Sequence, residues 1–205
     1  MISKRAITRL AATTAAVLAV GAAHAAPTNF SVKAEDFFGA SGFGSGSNRL
    51  DVGFQITNDT RQNFSLEVGE SFSWTFGRVT LSESTIDSDE TNNLGVSAEF
   101  DFNAPLNEDR VVTTTAQAVT GTVNGDSAAD FTIDWQPLVV AFNGGTFQIS
   151  LNDLTFTSTG SRNQSVTITL LSQGNGNAVP EPGSLALAAS ALLGLGALSR
   201  RRRQG

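Results

Sequence analysis

The stretch NFSLEVGESFSWTFG, residues 63–77, alternates apolar side chains with small or polar ones. The apolar positions recur every second residue in each half: Phe64, Leu66, Val68, Phe72, Trp74 and Phe76. A period of two is typical of a β-strand that buries one face and exposes the other. The parity slips after Phe76, so we predict that Gly77 marks a bulge or bend.

The same alternation recurs along the middle of the chain, around residues 50–56, 94–102, 131–135 and 166–170. A hairpin is predicted between Phe142 and Phe147, with residues 143–146 as its turn. Eight to ten half-buried strands require a second sheet to cover them. We therefore predict an all-β fold, an antiparallel, jelly-roll-like β-sandwich over residues 26–171. All 14 phenylalanines lie in this region and can fill its core.

The first 25 residues have the pattern of a secretory signal peptide. Basic residues at positions 4, 5 and 9 precede an apolar stretch over residues 10–23. Ala23 and Ala25 fit the small-x-small pattern of a cleavage site. The alternative is an N-terminal membrane anchor, but the stretch is short and rich in alanine. We predict a signal helix over residues 1–25 that is cleaved after Ala25.

The chain has no cysteine and no tyrosine, and His24 and Met1 are its only histidine and methionine. Removal of the signal would therefore leave a chain that lacks all four residue types. A Ser-His-Asp or Cys-His nucleophilic site then cannot be built. The histidine and cysteine ligands of zinc are also absent, and disulfides are impossible. The sequence therefore predicts that the protein is not an enzyme and holds no cofactor.

The region after the signal is strongly acidic. Residues 26–179 carry eighteen Asp and Glu against six Lys and Arg, a net charge of −12. Such a surface repels the phosphates of nucleic acids, so nucleic acid is not expected among its partners.

The chain closes with three distinct parts. Residues 172–178 form a polar stretch, predicted as a flexible linker, and Val179, Pro180, Glu181 and Pro182 follow it. Residues 183–199 are uncharged, and as a helix of about 25 Å they nearly span the roughly 30 Å hydrocarbon core of a membrane. This predicted transmembrane helix is built on Leu185, Leu187, Leu192, Leu193, Leu195 and Leu198. The basic tail, Arg200, Arg201, Arg202 and Arg203, is predicted to stay on the cytoplasmic side.

The segment 179–205 resembles the PEP-CTERM sorting signal of Gram-negative bacteria. The resemblance rests on the motif at 180–182, the short apolar helix and the arginine cluster. It implies an inner-membrane-anchored intermediate that an exosortase-type enzyme cleaves near the motif and delivers to the cell surface or extracellular matrix. The family is associated with bacteria that produce exopolysaccharide and form biofilms or flocs. A plain tail anchor is the alternative.

Two sets of residues in the middle are candidate ligand sites. Asp87 and Asp89 begin an oxygen-rich run that suits Ca²⁺, but the run departs from the calcium-loop pattern and a solvated turn is favoured. Trp74 and Trp135 could stack on sugars, but both share a phase with core phenylalanines, so burial is favoured.

These features favour an exported, non-enzymatic protein of the cell surface or matrix that associates with exopolysaccharide. A carbohydrate-binding module is the first alternative. A glycoside hydrolase is the second, since that chemistry needs only two carboxylates.

Overall fold

The computed structural model describes residues 26–174, which fold into β-strands joined by turns and one short 3-10 helix, Ser88–Thr91. The strands of this region are β1 Thr28–Gly39, β2 Val52–Ile56, β3 Gln62–Leu66, β4 Ser71–Leu81, β5 Thr85–Ile86, β6 Gly95–Ala104, β7 Glu108–Thr115, β8 Gln117–Ala118, β9 Gly121–Thr122, β10 Phe131–Ile133, β11 Leu138–Phe142, β12 Gly145–Leu151, β13 Leu154–Phe156 and β14 Gly160–Gln173.

Two large sheets dominate the molecule. One has the strand order β3-β1-β6-β7 and the other β11-β12-β14-β4-β2, and every neighbouring pair in them is antiparallel. Two smaller sheets, β13-β10-β8 and β5-β9, accompany them. The predicted all-β, antiparallel architecture is confirmed.

Aromatic side chains from the two large sheets meet in a shared core. Phe30 of β1 packs edge-on against Phe147 of β12, with ring centroids 5.3 Å apart. Phe76 of β4 makes a similar contact with Phe100 of β6 at 5.2 Å, and all four rings are buried. Each such ring buries about 150–250 Å² of surface, so the phenylalanines supply much of the apolar burial that stabilises the fold. Two sheets thus pack face to face.

The predicted bulge at Gly77 is confirmed. In the pairing of β14 with β4, Gln164 lies opposite Gly77 and Ser165 opposite Thr75, so Phe76 is the extra residue. A Cβ atom at Gly77 would lie 3.0 Å from the Gln55 carbonyl oxygen, which explains why glycine occupies this position.

Three local expectations need correction. Val68 does not continue the buried series, because it lies in the turn between β3 and β4 and is exposed. The turn of the β11–β12 hairpin has two residues, 143–144, where four were predicted. The last strand runs through Gln173, two residues into the predicted linker, because Ser172 still bonds Thr146 on the neighbouring strand.

The two ends of the described region lie side by side. The Gln173 side-chain amide donates to the carbonyl oxygen of Ala26 and to the Thr28 hydroxyl, both at 2.7 Å. The Gly174 N–H donates to the Gly144 carbonyl oxygen at 2.6 Å. The chain therefore enters and leaves this domain at the same pole, beside the β11–β12 turn.

The predicted terminal segments lie outside the described residues. These are the signal peptide with Ala23 and Ala25, the rest of the linker, the motif at 179–182, the helix over 183–199 and the arginine tail. Over residues 26–174, the structure has no helix with the length and apolar character needed to cross a membrane.

Candidate binding surface

The outer side of the five-stranded sheet carries rows of hydroxyl groups that bond to each other across strands. Ser73 and Thr167 hydroxyls are 2.7 Å apart, in the middle of the β4–β14 ladder. Equivalent pairs at 2.8–2.9 Å are Ser71–Thr169, Thr75–Ser165, Thr80–Ser161 and, between β12 and β14, Thr146–Ser172. We call these ten residues the hydroxyl face.

The strand pattern places these hydroxyls. In β4 the residues between Phe72, Trp74 and Phe76 are Ser or Thr, and in β14 the same holds around Val166 and Ile168. Antiparallel pairing brings the polar residue of one strand opposite the polar residue of the next. Each hydroxyl pair uses one donor, so a second donor and several acceptor lone pairs remain free for a ligand or water.

The hydroxyl face is nearly uncharged, although the domain is strongly acidic. Among the outward residues of β4, β12 and β14, within the described region, Arg78 carries the one charge. Arg162 of β14 turns to the other side, where its guanidinium lies 5.7 Å from the centre of the Phe156 ring. None of the eighteen carboxylates of residues 26–174 lies on this face.

The outer side of the four-stranded sheet differs sharply, because it carries acidic side chains and ion pairs. Asp101 forms an ion pair with Arg61 and lies 3.9 Å from the Lys33 ammonium. Lys33 also pairs with Glu35, and this hydrogen bond raises the pKa of Lys33. The charges of the domain are therefore distributed unevenly between its two sheets.

The two tryptophans are buried, as predicted, and do not form a stacking platform. Trp74 is 9% exposed and Trp135 is 5% exposed. The Trp135 indole N–H donates to the side-chain oxygen of Gln164 at 3.2 Å. The indole nitrogen of Trp74 has no partner among the described residues.

Gln164 of β14 is fully buried and connects this strand to two interstrand segments, one before β11 and one after β12, a role that the sequence did not predict. Its amide N–H₂ donates to the Asn152 carbonyl oxygen at 2.8 Å and to the Asn152 side-chain oxygen at 3.1 Å. The Asn152 side-chain oxygen also accepts from the Ser165 N–H at 2.6 Å. Gln164 shares the inward phase of Val166 and Ile168 along β14, but a polar residue at that phase gives no sequence signal of its bonding partners.

The candidate calcium residues flank the 3-10 helix. Asp87 is its N-terminal cap, and its N–H donates to the Glu90 carboxylate at 2.8 Å. Asp87 and Asp89 are both exposed, and over residues 26–174 no three acidic side chains gather in a group suited to a metal ion. The calcium interpretation stays a prediction.

Two shallow depressions lie at the sheet edges. One, of about 320 Å³, is lined by residues of β1 and β3 and contains no carboxylate. The other, of about 340 Å³, lies between the β6–β7 turn and β11, and Glu108 is its one carboxylate. Neither joins the two carboxylates that a glycoside hydrolase requires.

Comparison with known proteins identifies the end of the chain. Residues 178–203 match the PEP-CTERM protein-sorting motif. No curated protein and no solved structure matches the chain. The match thus covers the sorting signal and does not extend into the β-domain.

The motif places the protein in the class of exported proteins that cross a membrane and are sorted to the cell surface through an exosortase. It is a PEP-CTERM sorting domain-containing protein, as the residues at 180–182, the apolar run and the arginines indicated.

Proposed function

We propose that this protein is a non-enzymatic component of the cell surface or extracellular matrix that associates with exopolysaccharide. The sorting motif at residues 178–203 carries the proposal, because it assigns the protein to the cell exterior. The lack of histidine and cysteine after residue 25 supports a structural or binding role. The strands β1 to β4 alternate between the two large sheets, which fits the jelly-roll-like display module that we propose.

We further propose that residues 183–199 hold an anchored intermediate in the inner membrane until the exosortase cuts near Pro180–Pro182. Intact-mass measurement on protein collected from the cell surface tests this step. A mature species that ends near the motif is expected. A surface species that still ends at Gly205 would contradict the processing.

The hydroxyl face favours a second candidate, a carbohydrate-binding module that acts through hydrogen bonds. Sugar hydroxyls need both donors and acceptors, and each Ser/Thr pair offers both. A neutral glycan can approach this face without meeting a carboxylate, unlike the outer side of the four-stranded sheet with its acidic side chains. Because the tryptophans are buried, aromatic stacking does not contribute to this mode of binding.

Affinity gel electrophoresis with dextran in the gel tests the role of the hydroxyl face. We expect dextran to retard the wild-type chain, and the double variant Ser73→Ala, Thr167→Val to reduce that retardation. Thr113→Val, an exposed threonine on β7 of the other sheet, is the matched control and should not change it. Equal retardation of the double variant and of Thr113→Val would refute glycan binding by the hydroxyl face.

A further inference from the structure

Within residues 26–174, the strand β11 leaves backbone hydrogen-bonding groups without partners. It lies at the edge of its sheet and, in this described region, pairs with β12 alone. The two-residue turn makes Phe142–Gly145 a hydrogen-bonded pair, so Val140 and Leu138 also bond to β12. The N–H and C=O groups of Val139 and Ala141 must then point away from the sheet. These four groups form a template for a further strand.

The sequence of β11 lacks the features that normally protect an edge strand. Its residues, LVVAF, include no charge, no proline and no bulge, and the Val139 side chain is 57% exposed. Both edges of the other large sheet are protected by charge: β7 carries a run of three charged residues, 108–110, and β3 lies between Arg61 and Glu67. An exposed, flat and apolar edge strand is prone to pair with another chain.

Charge indicates which chain would pair with it. Residues 135–152, which contain β11 and β12, carry no charged side chain, whereas residues 26–174 as a whole carry −12. Two copies of the domain repel each other in most orientations, and least where these uncharged hairpins meet. Glu108, the one carboxylate of the adjoining depression, is already paired with Arg110.

We propose that two copies of this protein join through β11, antiparallel, with Val140 of one copy opposite Val140 of the other. In this register Val139 lies opposite Ala141 of the other copy, so all four free groups on each strand find partners. The contact is isologous and closes as a dimer. It would extend two five-stranded sheets into one continuous sheet.

The same register places both hydroxyl faces on one side, because side chains opposite each other across an antiparallel pair point to the same face. Pairing would therefore double the area of the uncharged surface. This inference concerns self-association and stands whether or not the protein binds polysaccharide.

The oligomeric state of the full chain, purified in a mild non-ionic detergent, tests the proposal by sedimentation velocity. We expect a monomer–dimer equilibrium that strengthens with added salt, because salt screens the repulsion between acidic copies. Val139→Lys should weaken association at least tenfold, whereas Val111→Lys, at a 46% exposed valine on the β7 edge, should leave it unchanged. Equal association in the two variants would overturn the proposal, as would a protein that stays monomeric up to about 1 mM.

A second variant tests whether misfolding, and not loss of the pairing, explains weaker association. Ala141→Pro removes an N–H that points away from β12, so the hairpin keeps its own ladder and circular dichroism should stay unchanged. It should nonetheless abolish dimers. Dimers that persist in both Ala141→Pro and Val139→Lys would mean that a different surface associates, which refutes the β11 pairing.

Cysteine cross-linking tests the register, since the natural chain contains no cysteine. Opposite residues of a hydrogen-bonded antiparallel pair have Cα atoms about 5.5 Å apart, within disulfide range. Val139 and Ala141 are both exposed, so a mixture of Val139→Cys and Ala141→Cys chains should form a mixed disulfide on mild oxidation, whereas Thr113→Cys should not cross-link. Mixed-disulfide formation no faster than the cross-linking of Thr113→Cys would refute the proposed register.

Discussion

Replacement of Gln164 by methionine is predicted to be among the most destabilising single changes that keep side-chain volume. Methionine fills the same space but can neither accept from the Trp135 indole nor donate to the Asn152 carbonyl oxygen. The Asn152 side-chain oxygen keeps its bond from the Ser165 N–H, so the buried Trp135 indole N–H and the partly buried Asn152 carbonyl oxygen lose their partners. A buried group left unpaired costs about 1–3 kcal/mol and a partly buried one less, so the free energy of unfolding should fall by about 2–4 kcal/mol.

Urea unfolding followed by far-UV circular dichroism measures this loss. With an m-value of about 2 kcal/mol/M, a loss of about 3 kcal/mol lowers the urea midpoint by about 1.5 M. Gln148→Met, on the outer side of β12, is the matched control and should change stability by no more than about 0.5 kcal/mol. Trp135→Phe combined with Gln164→Met should recover about 1–2 kcal/mol relative to additivity, because the indole N–H no longer needs an acceptor. The reasoning fails if Gln164→Met and Gln148→Met unfold at the same urea concentration.

Three further predictions concern stability. Gly77→Ala should lower the melting temperature by about 3–10 °C, because the new methyl group would meet the Phe37 ring at 3.0 Å; Gly53→Ala, which meets open space, should not. The hydrogen bond from Lys33 to Glu35 raises the pKa of Lys33, so its stabilisation should be present at neutral pH and be lost as pH rises above about 10.4. Denaturation of Lys33→Met between pH of about 9 and 11.5 should show a smaller alkaline loss than wild type. If residues 1–25 are removed as predicted, the chain lacks histidine and cysteine, so its urea midpoint should change little between pH of about 6 and 9, and a steep slope there would contradict removal of the signal.

The alternation of apolar residues predicted the class of fold well, because burial on one side of a strand forces a period of two. The pattern placed Phe76 and Phe100 on the buried side of their strands, and both lie in the core. The strand β1 was not predicted, because its pairing shifts between Ala34 and Asp36, where two consecutive acidic residues break the period. Local periodicity cannot describe a strand whose register changes part way along.

The hydroxyl face could be predicted only in part. The Ser and Thr residues that share the polar phase of β4 and β14 are visible in the sequence. Their pairing is not visible, because Ser73 and Thr167 are 94 residues apart and their contact depends on long-range register. The inward direction of Gln164 follows from the alternation of its own strand, but its bonds to Trp135 and Asn152 depend on long-range contacts that the sequence does not show.

The bond between Gln173 and Ala26 has a consequence for how the domain stands on the cell. Gly174 lies nine residues before the proposed membrane segment at 183–199, and nine residues span at most about 32 Å. If that segment anchors the chain as proposed, the pole with both chain ends stays within this distance of the membrane. The opposite pole of the two packed sheets is then the part that neighbouring cells and polymers meet first.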